Sequence, residues 1–336
     1  MKAAVFNKPG KIEVKEISKP GLSSGEVLVK VKATGICGTD HHIFQGEAPA
    51  DFPVVPGHEM SGVVEKKAEN VTKVDPGDKV TVNPNIHCGH CYYCQRGEIN
   101  LCENLQAVGV TQNGGFAEYV VIPETNIHKL EDEISFEEGA MIEPISCCLH
   151  GIDLADIKPG DKVVIIGGGA IGLILAQLAR ISGAAEVFIS EPEKSRQLIA
   201  KELGFNKIYS PEAINKSLFD FSDPGADIVI EAVGLETTIR QSLKLVRSGG
   251  TVLLFGVSPE NLDIPLSPFQ VYKKELTIKG SNINPFVTER ALDLLNSNKV
   301  IVDNLISSTY VLEQLPDIFS GKIKESGIKS IIYFKN

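Results

Sequence analysis

With 336 residues the chain has room for two domains of ordinary size, and 43% hydrophobic against 23% charged residues supports a large core and excludes global disorder. A formal net charge of −10 argues against a nucleic-acid or anionic-membrane partner, since either calls for a basic face. The opening MKAAVFNKPGKIEV carries no long apolar run, so no secretory leader is expected. The longest apolar stretch, Val163 to Ala179, is interrupted by Gly167, Gly168, Gly169 and Gly172 and does not read as a membrane span.

The first part of the chain reads as β. Val27 to Ala33 alternates apolar and charged residues, the period of a half-buried strand. Gly62 to Glu65, Lys79 to Val82 and Glu118 to Ile122 repeat the pattern, with turns signalled at Pro56-Gly57 and Pro76-Gly77-Asp78. Short strands so punctuated predict a barrel-like β domain.

The character changes after Pro144. Val163 to Ile166 reads as a buried strand, Ala170 to Ser182 as a helix and Val187 to Ser190 as a second strand. A second helix spans Lys194 to Leu203 and stops at Gly204; strands follow at Asp227 to Ile230 and Thr251 to Phe255. Strand–helix alternation of this kind predicts a doubly wound parallel sheet. Near Leu276 the chain is expected to return to the first domain, through a helix at Val287 to Asn296 and a last strand at Ser330 to Phe334.

Cys88, Cys91, Cys94 and Cys102 form two CxxC steps sharing one cysteine, then a fourth thiol after a short excursion. Zinc takes four such ligands in a tetrahedron, and four thiolates leave no open position, so this metal is read as structural. Seven cysteines with four in a metal pattern suit a reducing cytoplasm.

Gly167-Gly168-Gly169-Ala170-Ile171-Gly172 fits G-x-G-x-x-G after an apolar strand and at the start of an apolar helix. Gly167 serves the tight turn, Gly169 the approach of a pyrophosphate to the helix N-terminus, and Gly172 close helix–strand packing. Glu191, at the end of the next strand, is placed to accept both adenosine ribose hydroxyls and to repel a 2′-phosphate, which favours NAD over NADP; Arg196 pulls the other way. Ala170 and Ile171 at the helix start, and Val233 and Val257 after the later strands, complete the expected cofactor contacts.

Three segments remain: Gly35-Ile-Cys37-Gly-Thr39-Asp40-His41-His42, Pro56-Gly57-His58-Glu59 and Met141-Ile-Glu143-Pro144. A thiol, an imidazole and one or two carboxylates make an open zinc site. Taken with the cysteine lobe, GGFAEY at 114–119 and the glycine motif, they resemble the zinc-containing medium-chain dehydrogenases over essentially the whole chain. The resemblance implies a GroES-like β-barrel catalytic domain over 1–145 with its zinc lobe at about 85–105. It implies a Rossmann NAD-binding domain over 146–276 and a return segment over 277–336.

It further implies Cys37 and His58 as catalytic zinc ligands, Glu59 beside the metal or transiently on it, and Glu143 where simple alcohol dehydrogenases place a cysteine ligand. The Glu-Pro version is similar to the sorbitol and polyol-phosphate branch, and its oxygen-rich site admits other divalent metals. Thr39 matches the hydroxyl that takes the substrate proton and His42 the relay histidine, with His41 as competitor. Zinc then acidifies a substrate hydroxyl and a hydride passes to the nicotinamide. Lys279 to Phe286 resembles the polyol branch near the pocket, with Phe52 and Phe286 as candidate apolar walls. The expected protein is an NAD-dependent enzyme with two zinc ions per chain, a homodimer or homotetramer acting on a polyol or ketose, phosphorylated or not. L-threonine 3-dehydrogenase and secondary-alcohol dehydrogenase are the enzymatic alternatives, and a non-catalytic NAD-binding protein the other.

Overall fold

The computed structural model describes residues 1–214 and 224–335. The chain forms two compact units, the first comprising Met1–Ser146, Asn284–Asn296 and Leu305–Asn336, the second Cys147–Ile283 and Ser297–Asn304.

The first unit is built on the strand Glu26–Gly35. Its valines alternate with lysines, so Val27, Val29 and Val31 reach one fully buried cluster with Met60, Val64, Val80 and Ile127. This strand pairs antiparallel with Glu59–Lys67, Tyr119–Pro123 and Lys329–Tyr333. Lys79–Val82 and Ile127–Lys129 extend the sheet on one side and Ile306–Tyr310 on the other, making seven strands. The register sets Gly35 opposite Glu59 on one neighbour and Ile331 on the other. A short helix, Gly38–Gln45, follows the central strand and is stopped by Gly46 in the left-handed region at φ 78°. An antiparallel pair at the N-terminus, Lys2–Lys8 with Lys11–Glu16, was not expected from the alternation pattern.

Glu143 and Pro144 lie in the first turn of the helix Ile142–Ala155. Proline is tolerated there because its missing N–H has no intrahelical partner to lose.

The second unit contains a six-stranded parallel sheet. In spatial order its strands are Ile208–Tyr209, Glu186–Ser190, Lys162–Ile166, Ala226–Glu231, Val246–Leu254 and Thr277–Gly280. In chain order this is 3-2-1-4-5-6, the doubly wound arrangement with its reversal between Lys162–Ile166 and Ala226–Glu231. Val163, Val164 and Ile165 are fully buried, as a strand covered on both faces requires. Thr277–Gly280 is the sixth strand of this sheet, so the chain rejoins the first unit at Asn284 and not at 277, and 297–304 belong with the second unit. The sequence TIKG is too short and too polar to announce a sheet edge. Among the described residues no helix is long and apolar enough to cross a membrane.

Candidate active site and metal centres

The first unit holds two clusters of metal-ligating side chains. In one, the ligand atoms of Cys88, Cys91, Cys94 and Cys102 all lie within 4.8 Å of one another. The Cys88 and Cys94 sulfurs are 4.0 Å apart and those of Cys91 and Cys102 3.9 Å. These are free thiols. A tetrahedron with metal–sulfur bonds of about 2.3 Å has edges of about 3.8 Å, so the spacing suits zinc. Backbone and amide donors already face the sulfurs: Cys88 N and Asn104 N each donate to Cys102 Sγ at 3.4 Å. Amide donors, that of His90 foremost, pull the Cys88 thiol down to about 6, whereas burial pushes the Cys94 thiol up to about 12. A set with thiolate-favouring donors and a resistant thiol fits a cation that deprotonates all four.

In the second cluster the ligand atoms of Cys37, His58 and Glu59 lie within 4.8 Å of one another. Cys37 stands between the central strand and the helix Gly38–Gln45, and Glu59 opens the strand Glu59–Lys67. Asp40, fully buried, ties the two segments together. Its carboxylate accepts from Cys37 N at 2.9 Å and Gly57 N at 3.4 Å. It also lies 3.5 Å from His58 Nδ1, which is buried without a hydrogen bond. Burial disfavours a proton on His58, but Asp40 and Cys37 outweigh it and raise its pKa well above the usual range. The pocket therefore favours positive charge, and thiol, imidazole and carboxylate are a fitting donor set for zinc.

Lys329 supplies one such charge. Its ammonium pairs with Glu59, and both residues are buried. Burial favours loss of its proton, yet Glu59, Cys37 and Asp40 together hold its pKa above the ordinary lysine value. Neither Asp40 nor Lys329 was anticipated as a site residue. The i+3 spacing of Asp40 from Cys37 was a usable signal; nothing local marks Lys329.

Thr39 presents its hydroxyl 3.7 Å from the Cys37 sulfur. The two histidines diverge, as neighbours on a helix must. His41 Nε2 bonds Glu325 at 2.8 Å and its ring packs on Phe319 at 4.9 Å, whereas His42 Nδ1 bonds Glu47 at 2.7 Å. Glu143 is buried but is not among the three residues whose ligand atoms converge. Phe52 packs against the apolar cluster beneath the N-terminal strands. In the segment from Lys279 to Phe286, Asn284 is buried and accepts from Asn85 Nδ2 at 2.8 Å, while Phe286 is 67% exposed with φ 54°.

The second unit gathers the dinucleotide residues at the carboxyl ends of its strands. Gly167 adopts φ 107°, and a Cβ there would lie 2.8 Å from the Val233 side chain. A Cβ on Gly172 would fall 1.9 Å from Gly167 O, so the turn and the helix touch through bare backbone. Gly169 precedes the helix Ala170–Ile181, whose first N–H groups are free of intrahelical partners. Glu191 is buried and accepts from Gly168 N at 2.8 Å and Glu193 N at 2.7 Å. Lone pairs remain on both oxygens for a diol. Arg196 lies 3.6 Å from Glu193 and 3.9 Å from where a Gly169 Cβ would stand. Val257 is 68% exposed, and its carbonyl closes on Gly234. Glu231 is a further residue the sequence reading passed over: fully buried, it accepts from Val233 N and Gly234 N at 2.9 Å each and shapes that loop. An acid at the end of an apolar strand was its signal. A cradle that any Cβ would fill, at the N-terminus of a helix, fits a pyrophosphate.

Residues 23–132 match the alcohol dehydrogenase GroES-like domain and residues 170–297 the zinc-binding dehydrogenase domain. The chain is 34% identical over 320 residues to D-arabinitol dehydrogenase 1 of Uromyces fabae, covering 94% of this chain and 91% of that protein. The chain belongs to the zinc-binding dehydrogenases. Within that family it is also 34% identical over 325 residues to the D-arabitol-phosphate dehydrogenase of Enterococcus avium, covering 94% and 92% of the two chains. A solved zinc-binding dehydrogenase from Sinorhizobium meliloti 1021, bound to NADP, superposes with a TM-score of 0.95 at 39% identity over 99% of both chains. The protein is therefore an oxidoreductase with a GroES-like domain and a Rossmann domain for NAD(P).

Proposed function

We propose that this dehydrogenase interconverts a secondary hydroxyl of a polyol with the corresponding ketose, using NAD and two zinc ions per chain. The observation that carries the reading is the convergence of Cys37, His58 and Glu59 with the Thr39 hydroxyl beside the Cys37 sulfur. A purely NAD-binding protein has no use for that arrangement. The polyol class rests on the arabinitol and arabitol-phosphate enzymes among its relatives and on the carboxylate that Glu59 adds to the cluster.

Cys37, His58 and Glu59 would hold the catalytic zinc, with Glu143 completing its surroundings, and the four-cysteine lobe the structural one. When bound, the catalytic ion supplies Lewis acidity toward the substrate hydroxyl. Thr39 receives the hydroxyl proton, and His42, held by Glu47, is the group that passes it toward solvent. His41 bonds Glu325 and its ring also packs on Phe319, which favours His42 as the relay. Glu191 sets the preference for NAD, because a 2′-phosphate would meet its buried carboxylate. We place the enzyme in the cytoplasm, where its free thiols persist. We expect a homodimer or homotetramer, supported by the open sheet edge at Thr277–Gly280 and by Phe269 and Tyr272, 62% and 81% exposed on the preceding helix.

The test is a turnover screen of zinc-loaded protein with NAD(H) and NADP(H) across polyols, ketoses, their phosphates, simple secondary alcohols and L-threonine. Polyol turnover with NAD at the highest kcat/KM supports the reading. Faster L-threonine oxidation, or no turnover with any of them, overturns it.

A further inference from the structure

We propose that Lys329 is a positioning residue that competes with the bound metal for the Glu59 carboxylate and so tempers the hold of that ligand on the metal. The inference rests on the reading of Cys37, His58 and Glu59 as metal ligands.

The sheet register builds the competition. Gly35 faces Glu59 across one strand boundary and Ile331 across the other, and Lys329 lies two residues before Ile331 on the same strand face. The Glu59–Lys329 pair crosses the bare backbone of Gly35. A Cβ at Gly35 would stand 2.0 Å from Glu59 Oε2 and 2.9 Å from Lys329 Cε. Both charged groups are enclosed, with Glu59 1% and Lys329 7% exposed, so solvent does not screen them. Asp40 is a further fully buried carboxyl group acting on this lysine. A carboxylate engaged by a fixed ammonium is a poorer donor to a second cation. Without the lysine, Glu59 is an unpaired buried anion next to a metal, and it turns to that metal. A metal carrying that more firmly bound anionic donor would be a weaker Lewis acid toward a substrate hydroxyl. Lys329 thus acts on the reaction through Glu59 and touches no reacting atom.

The experiment measures zinc affinity of the catalytic site in the full chain by chelator competition, with the four-cysteine site counted separately. The visible spectrum of protein carrying cobalt(II) in the catalytic site is recorded alongside. Lys329→Met is expected to tighten catalytic zinc binding at least tenfold, to shift the cobalt bands toward higher coordination, and to lower kcat more than it changes KM. Lys329→Arg is expected to restore affinity to within threefold and to return the spectrum. In a Glu59→Gln background Lys329→Met is expected to have no further effect on affinity. Unchanged affinity and spectrum in Lys329→Met, or an equal shift in the Glu59→Gln background, overturns the inference. If Lys329→Met fails to fold, Gly35→Ala decides, because its methyl group drives the pair apart: it shifts affinity and spectrum in the same direction or the inference is wrong. An unmodified protein that binds zinc at the four-cysteine site alone instead overturns the metal reading on which the inference rests.

Discussion

Gly172→Ala tests whether the cofactor turn depends on backbone touching backbone. The new methyl carbon would start 1.9 Å from Gly167 O and 2.8 Å from Gly167 C, and neither neighbour is the end of a flexible side chain. To reach even 3.0 Å the helix Ala170–Ile181 and the turn must separate by about 1.1 Å. Overpacking of this kind costs about 1–3 kcal/mol of stability. The same displacement moves the helix N-terminal N–H groups and Gly169 away from the pyrophosphate. Hydrogen bonds to a charged group are worth about 1.5–3 kcal/mol each, so losing one weakens binding roughly ten- to hundredfold. Fluorescence titration with NADH should show that rise in Kd, with zinc content unchanged. Gly21→Ala, where a Cβ meets nothing within 4 Å, is the neutral control. An NADH Kd within twofold of the unmodified protein for Gly172→Ala would refute the reasoning.

Replacing Glu191 by Ala should narrow or reverse the NAD preference. It should also weaken NAD itself, since Gly168 N and Glu193 N lose their acceptor; equal kcat/KM for both cofactors in the unmodified enzyme would count against the assignment. Glu143→Ala should weaken catalytic metal binding and lower activity by orders of magnitude, and a variant keeping both would leave the site to Cys37, His58 and Glu59. Asp227→Asn addresses stability alone. Burial raises the Asp227 pKa, but the Lys162 amide and Arg247 more than offset this and leave it below the usual carboxylate range. A depressed folded pKa gives stability that is present above the unfolded pKa and lost as pH falls through the folded one. Asp227→Asn should therefore lower Tm at pH 7 and have progressively less effect as the medium is acidified; a constant difference would contradict the ion-pair account.

What the sequence revealed and what it hid divide along one physical line. Features carried by local spacing were legible: the valine alternation of Glu26–Gly35, the four cysteines, and the glycine turn with its following helix. The convergence of Cys37, His58 and Glu59 was legible through resemblance, because each sits in a short motif. Lys329 was not, since its role comes from a strand register that sets two distant segments on either side of Gly35. No periodicity reports which strand lies beside which. The last strand of the parallel sheet, Thr277–Gly280, leaves no local signature for a related reason. Four residues with one isoleucine bury too little to leave a pattern. Glu231 carried a signal, an acid at the end of an apolar strand, but no spacing reports that its carboxylate turns inward to backbone amides.

The most direct test of the two-metal account is the zinc content of three proteins: unmodified, Cys37→Ser and Cys91→Ser, each assayed for polyol-dependent NADH formation. A closed four-thiolate site and an open three-ligand site predict about two zinc ions per unmodified chain. Cys37→Ser should retain the structural ion and its Tm and lose activity. Cys91→Ser should lose the structural ion with a fall in Tm, because that site's binding energy is folding energy. One zinc per unmodified chain, kept in Cys37→Ser and lost in Cys91→Ser, would contradict the account.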